Sequence, residues 1–405
     1  MMDKRPLDNV RVTDFTWAWA GPYGTLLLSL LGAEVIKVES RRRLDHSRIR
    51  SLMTGPFLQG PDYSTVFNDL NFNKLSLTLN MTRPESVRIV KELVKVSDVV
   101  VENMRPGAIA AMGISYDEIR KVRPDIIMLS SSASGATGPE GRYIGYAPTF
   151  YAVGGLAYIS GYPDGAPTAL SGAVDLRVGA AAAFAVIAAL VHRQQTGEGQ
   201  FIDLSSCEAI ASLVGHTFLG YSLNRRMPFR EGNHDRTMAP HNCYPCRGDD
   251  KWITIAVGTE EEWHALCVAM GNPAWAKDEQ FCNMQRRLEN QDELDRKIAE
   301  WTNEYDQQEL GDRLQKAGVA SMPCYEGPQV VADPHVRERE VFQKVTHPLL
   351  GERMVPGPPW RFSETPARVR RAAPLLGEHN HYVLHEILGM AEEEIARLEE
   401  EDVVW

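Results

Sequence analysis

An α/β fold with a parallel, doubly wound sheet is predicted by two observations in the first 135 residues. Strand-like and helix-like segments alternate, and the strand-like ones are rich in Val or Ile, at a spacing that implies β-α-β units. The length of 405 residues exceeds what one hydrophobic core normally organises, so more than one domain is expected.

Val10–Thr16 reads as the first strand, Tyr23–Leu31 as a helix and Glu34–Glu39 as the second strand. Pro84–Lys95 is helical, with Val87, Ile89, Val90 and Leu93 on one stripe. Asp98–Glu102 and Asp125–Ser130 are further strands. The alanine-rich run Gly179–Val191 predicts a helix that ends near Thr196-Gly197-Glu198-Gly199. Phe201–Leu204 follows as a strand and Glu208–Leu219 as a helix. Residues 222–250 turn to Arg, Asn, Gly, His and Pro, as in an exposed linker or binding loop. A second α/β region starts at Lys251–Val257 and ends near Cys324. Val355–Pro359 is a proline-rich crossing segment, and the polar tail places Ile395 and Leu398 on one face. The chain is divided accordingly into 1–221, 222–330 and 331–405.

Net charge is −11, from 54 acidic and 43 basic side chains, which argues against nucleic acid or an anionic membrane as the main partner. Arg41, Arg42, Arg43, Arg48 and Arg50 form a local basic cluster, read either as a solvated loop or as an anion site. Six scattered cysteines are too few for a disulfide framework and fit a reducing cytoplasm. The N-terminus lacks the apolar core of a signal peptide. The apolar run Val178–Val191 is shorter than the roughly 20 residues of a membrane span, so a buried helix and a cytoplasmic protein are expected.

The first strand–loop–helix–strand, closed by Glu39, invites a dinucleotide reading. The loop Ala20-Gly21-Pro22-Tyr23-Gly24 lacks the third glycine of that motif, and Pro22 removes an N–H that a phosphate would need, so Glu39 is read as a solvated strand end. Cys243-Tyr244-Pro245-Cys246 has no second cysteine pair, so no metal is expected. Neither G-x-S-x-G nor a phosphate-binding G-x-x-x-x-G-K-[ST] occurs.

Pro167 to Asp175 runs directly into the alanine-rich helix. A carboxylate there is stabilised by the helix N-terminus, and a capping role accounts for Asp175 on spacing alone. A carboxylate is also a nucleophile toward activated carbonyls. Spacing leaves both roles open.

Several motifs in order resemble the class III CoA-transferases, the family of formyl-CoA transferase and carnitine CoA-transferase. They are Pro6–Val10, Ala20-Gly21-Pro22, Leu31–Glu39, Asn71–Lys74, Asp98–Gly107, Thr196–Gln200 and Ala373–His379. The resemblance implies a Rossmann-like large domain built from both chain ends, a smaller α/β middle domain, and two chains interlocked with the site between the domains. It places Asp175 as catalytic nucleophile. A donor acyl-CoA acylates Asp175, and the released CoA thiolate converts the anhydride to an aspartyl-CoA thioester. The acceptor carboxylate then displaces CoA and is itself thioesterified. Trp19, Ser40, Lys74, Asn103, Met104 and Arg105 fall at coenzyme A contacts, coenzyme A being the co-substrate.

Trp19 departs from formyl-CoA transferase, which has glutamine there, and Ser40 replaces a basic residue. Trp19 is read as shaping a larger or aromatic acyl pocket, or as a packed core residue. The shielding glycine-rich loop has no clear copy, with Arg230–Asp235 nearest. The α-methylacyl-CoA racemases of the same fold pair their aspartate with a Gly-His-Asp histidine, where this chain has Gly145-Tyr146-Ala147. A tyrosine with a pKa near 10 is a poor base at neutral pH. A non-catalytic partner subunit is a further alternative. The benzylsuccinate CoA-transferase branch looks closest, which implies succinyl-CoA as donor, benzylsuccinate or a similar acid as acceptor, and a homodimer or a hetero-oligomer. Arg142, Arg177 and Arg230 are candidates for a second substrate carboxylate.

Overall fold

Two compact units make up the chain, one from residues 1–157, 169–226 and 337–405, the other from 158–168 and 227–336. The computed structural model describes residues 5–50, 60–168 and 172–405. The boundaries expected from the sequence, 221/222 and 330/331, differ from these by a few residues, and 158–168 belongs with the smaller unit, not with 1–221.

The larger unit is centred on β1 (Arg11–Phe15), β2 (Glu34–Glu39), β3 (Leu75–Thr78), β4 (Val99–Glu102), β5 (Ile127–Ser132) and β6 (Phe201–Ser205). They lie in the order β3-β2-β1-β4-β5-β6, every neighbouring pair parallel. The order reverses between β1 and β4, so a crevice is expected beyond the carboxyl ends of the strands at that point. Helices cover both faces, which is why Val99, Val100 and Val101 in succession are no more than 2% exposed.

The strand β3 has no counterpart in the sequence reading, because Leu75-Ser76-Leu77-Thr78 is short and half polar. The returning C-terminal segment covers it. Ser76 N–H donates to His379 Nδ1 (3.3 Å), Thr78 N–H to Asn380 Oδ1 (2.8 Å) and Asn80 N–H to the Val403 carbonyl (2.9 Å). In the tail helix Glu392–Glu400, Ile395 and Leu398 are both buried, as their shared face requires. The proline-rich crossing segment begins as the second strand of a hairpin, Phe342–His347 with Gly351–Pro356.

The alanine-rich helix spans Ala173–Thr196, starting six residues before the expected Gly179. At 24 residues it is long and apolar enough to cross a membrane by length and composition. Here it packs on the helix Ala20–Leu30, and Arg193 near its end pairs with Asp98 at 2.8 Å. The expected helix Glu208–Leu219 is instead three pieces, Ser206–Ala211, a 3-10 turn Ser212–Val214 and Gly215–Asn224. Ser212 Oγ donates back to the Ala209 carbonyl (2.8 Å), a side-chain bond that competes with the regular ladder.

Glu39 is a correction. It is buried, and its carboxylate receives Arg48 Nε (2.8 Å), Arg48 Nη2 (2.9 Å) and Ser76 Oγ (2.8 Å). Arg48, one of the basic cluster, is therefore neither solvated nor an anion site. Its fork fits a carboxylate in two-point fashion.

The smaller unit is built on an antiparallel sheet of His241–Pro245, Trp252–Ala256 and Ala320–Pro323, with a core that includes Trp263, Phe281, Leu294 and Leu314. Strand alternation puts Cys246 in that core and Cys243 on the opposite face, where its Sγ lies 3.6 Å from Cys324 Sγ. The two cysteines of the C-x-x-C thus point apart. Gly232, in the segment read as the nearest match to a shielding loop, is pinned to 158–168 by its N–H on the Gly161 carbonyl (2.9 Å).

Candidate active site

Buried charges underlie the carboxyl ends of the strands. Asp14 on β1 and Lys74 before β3 are both fully buried, with Nζ 3.2 Å from Oδ2. Lys37 on β2 pairs with Asp45 at 2.9 Å and donates to the Thr16 carbonyl at 2.6 Å. Burial opposes the charge on Asp14, but Lys74 and Lys37 outweigh it and hold the carboxyl below its usual range. Burial likewise opposes the Lys37 ammonium, and Asp45, Asp14 and Glu39 outweigh it, so its pKa is raised. At Lys74 burial dominates and brings the ammonium down to about 8.

This network fixes the loop after β1. Asp45 Oδ1 accepts the N–H of Ala18 (3.0 Å), a residue held at φ 64°. Asn103, just after β4, grips the neighbouring peptide on both sides. Its Oδ1 accepts Trp17 N–H (2.6 Å) and its Nδ2 donates to the Trp17 carbonyl (2.9 Å). A Cβ on Gly21 would lie 2.5 Å from Thr16 Cβ and 2.9 Å from Asn103 Cγ, which explains a glycine at the start of the following helix.

A cavity of about 800 Å³ opens above this floor, within the range of about 300–1,000 Å³ that small-molecule sites occupy. Its walls come from beyond every strand of the sheet: Trp17 and Trp19 after β1, Ser40 and Arg43 after β2, Asn80 after β3, Met104 and Arg105 after β4. Ser132 closes β5 and Ser206 follows β6. Asp175 lies in the same wall. It is the third residue of the helix Ala173–Thr196, and the N-cap is Gly172 at φ 82°. The first turn leaves backbone N–H groups without helical partners beside the carboxylate. The capping role is thus corrected, since Gly172 takes that position. Ala169, Leu170 and Ser171, which lead into it, lie outside the described residues, as does the Arg50 side chain.

Five of the six expected coenzyme A contacts line the cavity. Lys74 does not, and the assignment is corrected. Its Nζ is fully buried and also donates to Pro22 O (2.9 Å), Thr25 Oγ1 (2.7 Å) and Asn71 Oδ1 (2.9 Å), so it supports the floor and cannot reach a phosphate. Asn103 lines the cavity with its amide engaged by Trp17. Ser40 Oγ accepts the N–H groups of Arg42 (3.2 Å) and Arg43 (3.3 Å), which shapes the arginine turn. Arg105 is exposed and has no ion-pair partner among the described residues.

Arg142 and Arg177 are exposed and are not among the lining residues, and Arg230 belongs to the smaller unit, stacked 4.3 Å over Phe229. Arg43 lines the cavity instead, its guanidinium 4.8 Å from the centre of the Trp17 ring. His46 meets Trp17 edge-on at 5.9 Å and lies 6.1 Å from Tyr146. Arg43 is a member of the basic cluster, and its place in the wall fits the reading of that cluster as a ligand site, whereas no local pattern marks His46 in the sequence. Two buried polar atoms of the wall, Trp19 Nε1 and Ser132 Oγ, have no hydrogen-bond partner among the described residues. Among the same residues no cluster of three or more His, Cys, Asp or Glu could hold a metal ion.

The family model of CoA-transferase family III matches residues 7–380. A succinyl-CoA–D-citramalate CoA-transferase of Chloroflexus aurantiacus is 35% identical over 405 residues, 99% of this chain and 98% of that one. The beta subunit of a succinyl-CoA–L-malate CoA-transferase from the same organism is 33% identical, covering 98% of each chain. A human succinyl-CoA:glutarate CoA-transferase is 32% identical over 98% of this chain and 90% of that one. Among solved structures, a CaiB/BaiF family protein from Brucella suis superposes with a TM-score of 0.85 at 28% identity, covering 95% of this chain and 99% of that one. A parallel sheet with its cavity at the strand-order reversal, a carboxylate at a helix N-terminus in the cavity wall, and these near full-length matches lead to one conclusion: the chain belongs to CoA-transferase family III and is an enzyme of that class.

Proposed function

We propose that this enzyme transfers CoA from succinyl-CoA to a dicarboxylic acid, with Asp175 as the nucleophile. The observation that carries the reading is the position of Asp175 in the wall of the cavity that the carboxyl ends of the strands share. The Asp175 carboxylate attacks the thioester carbonyl and expels CoA thiolate, which leaves a mixed anhydride. The thiolate attacks the aspartyl carbonyl, releases succinate and forms the aspartyl-CoA thioester. The acceptor carboxylate attacks that thioester, and the thiolate expelled a second time attacks the acceptor's acyl carbon, which restores Asp175. The energy of the thioester is retained throughout, so no ATP is consumed. Both intermediates are open to hydrolysis, so water must be kept away.

Ser40, Met104 and Arg105 hold the CoA moiety in this reading, Arg105 as a charged donor to phosphate. The Ser132 hydroxyl, buried without a partner among the described residues, is a donor available to the ligand. Succinyl-CoA as donor is supported by the names of the relatives, whose acceptors are citramalate, malate and glutarate. The aromatic wall of Trp17, Trp19, Tyr146 and Phe150 supports an acceptor with an aromatic substituent, benzylsuccinate among them. The assembly is an interlocked pair, either of identical chains or with a paralogous subunit, as the separate alpha and beta subunits of the malate enzyme suggest. Exposed apolar side chains such as Phe184, Phe218 and Leu223 favour a covering partner.

One observation favours a racemase instead. His46 reaches the cavity beside Tyr146, so a histidine shares a wall with Asp175 although the Gly-His-Asp motif is missing. Incubation with succinyl-CoA, a hydroxylamine quench and peptide mapping decide between the two. A hydroxamate on Asp175 establishes the covalent carboxylate. Its absence, with solvent deuterium entering the α-position of an acyl-CoA, establishes the racemase.

A further inference from the structure

Behind Trp19 lies a second cavity of about 330 Å³. Leu26, Leu27, Leu30, Val66, Leu70 and Phe72 supply most of its apolar lining. Trp19 belongs to the walls of both cavities. The helix that carries the nucleophile is shared in the same way, with Asp175 facing the first cavity and Leu176, the next residue, lining the second. One indole therefore separates the reacting carboxylate's chamber from an apolar one. The ring is held by packing, since its Nε1 is buried without a hydrogen-bond partner among the described residues. One of its neighbours is the backbone of Gly172, where a Cβ would stand 3.4 Å from Trp19 Cζ3.

An apolar cavity of about 150 Å³ is enough to hold benzene, so the space behind Trp19 accommodates a larger hydrocarbon group. Among the described residues its one ionisable carboxylate is Asp69, exposed to solvent, where a negative charge disfavours a second carboxylate. We propose that the cavity behind Trp19 is an acyl subsite for uncharged hydrocarbon or phenyl-bearing acyl groups, and that Trp19 closes it and so sets the size of acyl group Asp175 can accept. The inference rests on the reading of Asp175 as nucleophile.

The test compares the full-length wild type with Trp19→Ala, Trp19→Leu and the double variant Trp19→Ala/Val66→Trp. Turnover with succinyl-CoA is followed with octanoate and phenylpropionate as acceptors, and with isotopically labelled succinate, whose exchange into succinyl-CoA gives the reference rate. Thermal shifts with octanoyl-CoA and succinyl-CoA report binding without turnover. Opening the wall is expected to raise the octanoate-to-succinate ratio of kcat/KM by roughly tenfold or more, the effect of burying about two extra methylene groups. Val66→Trp, which refills the cavity from another of its lining positions, is expected to reverse the gain. Trp19→Leu retains an apolar side chain and reads the same ratio if Trp19→Ala fails to fold.

An unchanged ratio together with an unchanged octanoyl-CoA shift overturns the proposal, and is the result expected if a second copy of the chain fills the cavity. A wild type that already uses octanoate as well as succinate overturns it too. Hydroxylamine labelling of wild-type Asp175 reports on the nucleophile alone. If that label is missing, the octanoyl-CoA shift still decides the subsite.

Discussion

Gly24 and Gly179 bring two helices into backbone contact: a Cβ on Gly24 would lie 2.9 Å from the Gly179 carbonyl oxygen. The reverse substitution is tighter, with a Cβ on Gly179 2.5 Å from the Ala20 carbonyl oxygen and 2.9 Å from Gly24 N. Gly179 stands one helical turn beyond Asp175, so this close crossing sets where the carboxylate enters the cavity. Gly179→Ala gains about 1 kcal/mol of helix propensity but forces the helices apart, at a cost of about 1–3 kcal/mol. The expected outcome is a lower melting temperature and, in the fraction that stays folded, a loss in kcat larger than any change in KM. Full retention of kcat would show that the crossing does not position Asp175.

Lys74 holds a buried carboxylate in place, and its removal tests that role against phosphate binding. Lys74→Met leaves Asp14 buried without its closest cation, which costs about 3–5 kcal/mol. Chemical denaturation is expected to show that loss, and the double variant Asp14→Asn/Lys74→Met is expected to recover part of it. A variant of normal stability with a raised KM for the CoA thioester would return Lys74 to the phosphate site.

What could be read from the sequence divides along a physical line. Strands β1, β2, β4, β5 and β6 declare themselves because each carries Val, Ile, Leu or Phe in a short local run, and all but the edge strand β6 are buried on both faces. β3 does not, because the groups that complete it come from Asn380 and Val403, some 300 positions away. The family's ordered motifs led to the cavity through Trp19, Ser40, Met104 and Arg105. They could not separate ligand contacts from the groups beneath them. Lys74 and Asn103 sit in the same motifs, yet one pairs with Asp14, 60 residues distant, and the other with Trp17, 86 residues distant. Arg48 looked like its neighbours Arg41 to Arg43 until the fold brought Glu39 and Asp62 to it. Side-chain pairing across a fold has no period, so no window of sequence contains it.

Glu102 ends β4 at the point where strand order reverses, directly beneath Asn103 to Arg105. Its carboxyl accepts the Met104 N–H (2.7 Å) and the Ser130 hydroxyl. Burial pushes its pKa up from 4.5 to about 7, against the pull of those two hydrogen bonds. Between these values the folded state keeps a proton that the unfolded state has released. The group therefore lowers stability progressively as pH rises from 4.5 to about 7, and the penalty is constant above that. Glu102→Gln removes the titration. The stability of the variant relative to wild type is expected to improve across that window by about 3 kcal/mol in all. Denaturant midpoints at about pH 5 and about pH 8 measure the difference. A gap that does not change with pH would mean that Glu102 titrates normally.

Arg105 is an exposed cation of the cavity wall, with Arg42 and Arg43, and its contribution is expected in binding alone. A charged hydrogen bond to phosphate is worth about 1.5–3 kcal/mol, and exposure to solvent reduces that value. Arg105→Ala is expected to raise KM for the CoA thioester by about tenfold, with kcat close to wild type, as for a group that binds phosphate equally in the ground and transition states. Its salt dependence gives a second reading. Added salt weakens the wild type's grip on the thioester because it screens Arg105, so the KM values of the two proteins should converge as ionic strength rises. A fall in kcat at unchanged KM would instead place Arg105 in the transition state, where the charge of the departing thiolate develops.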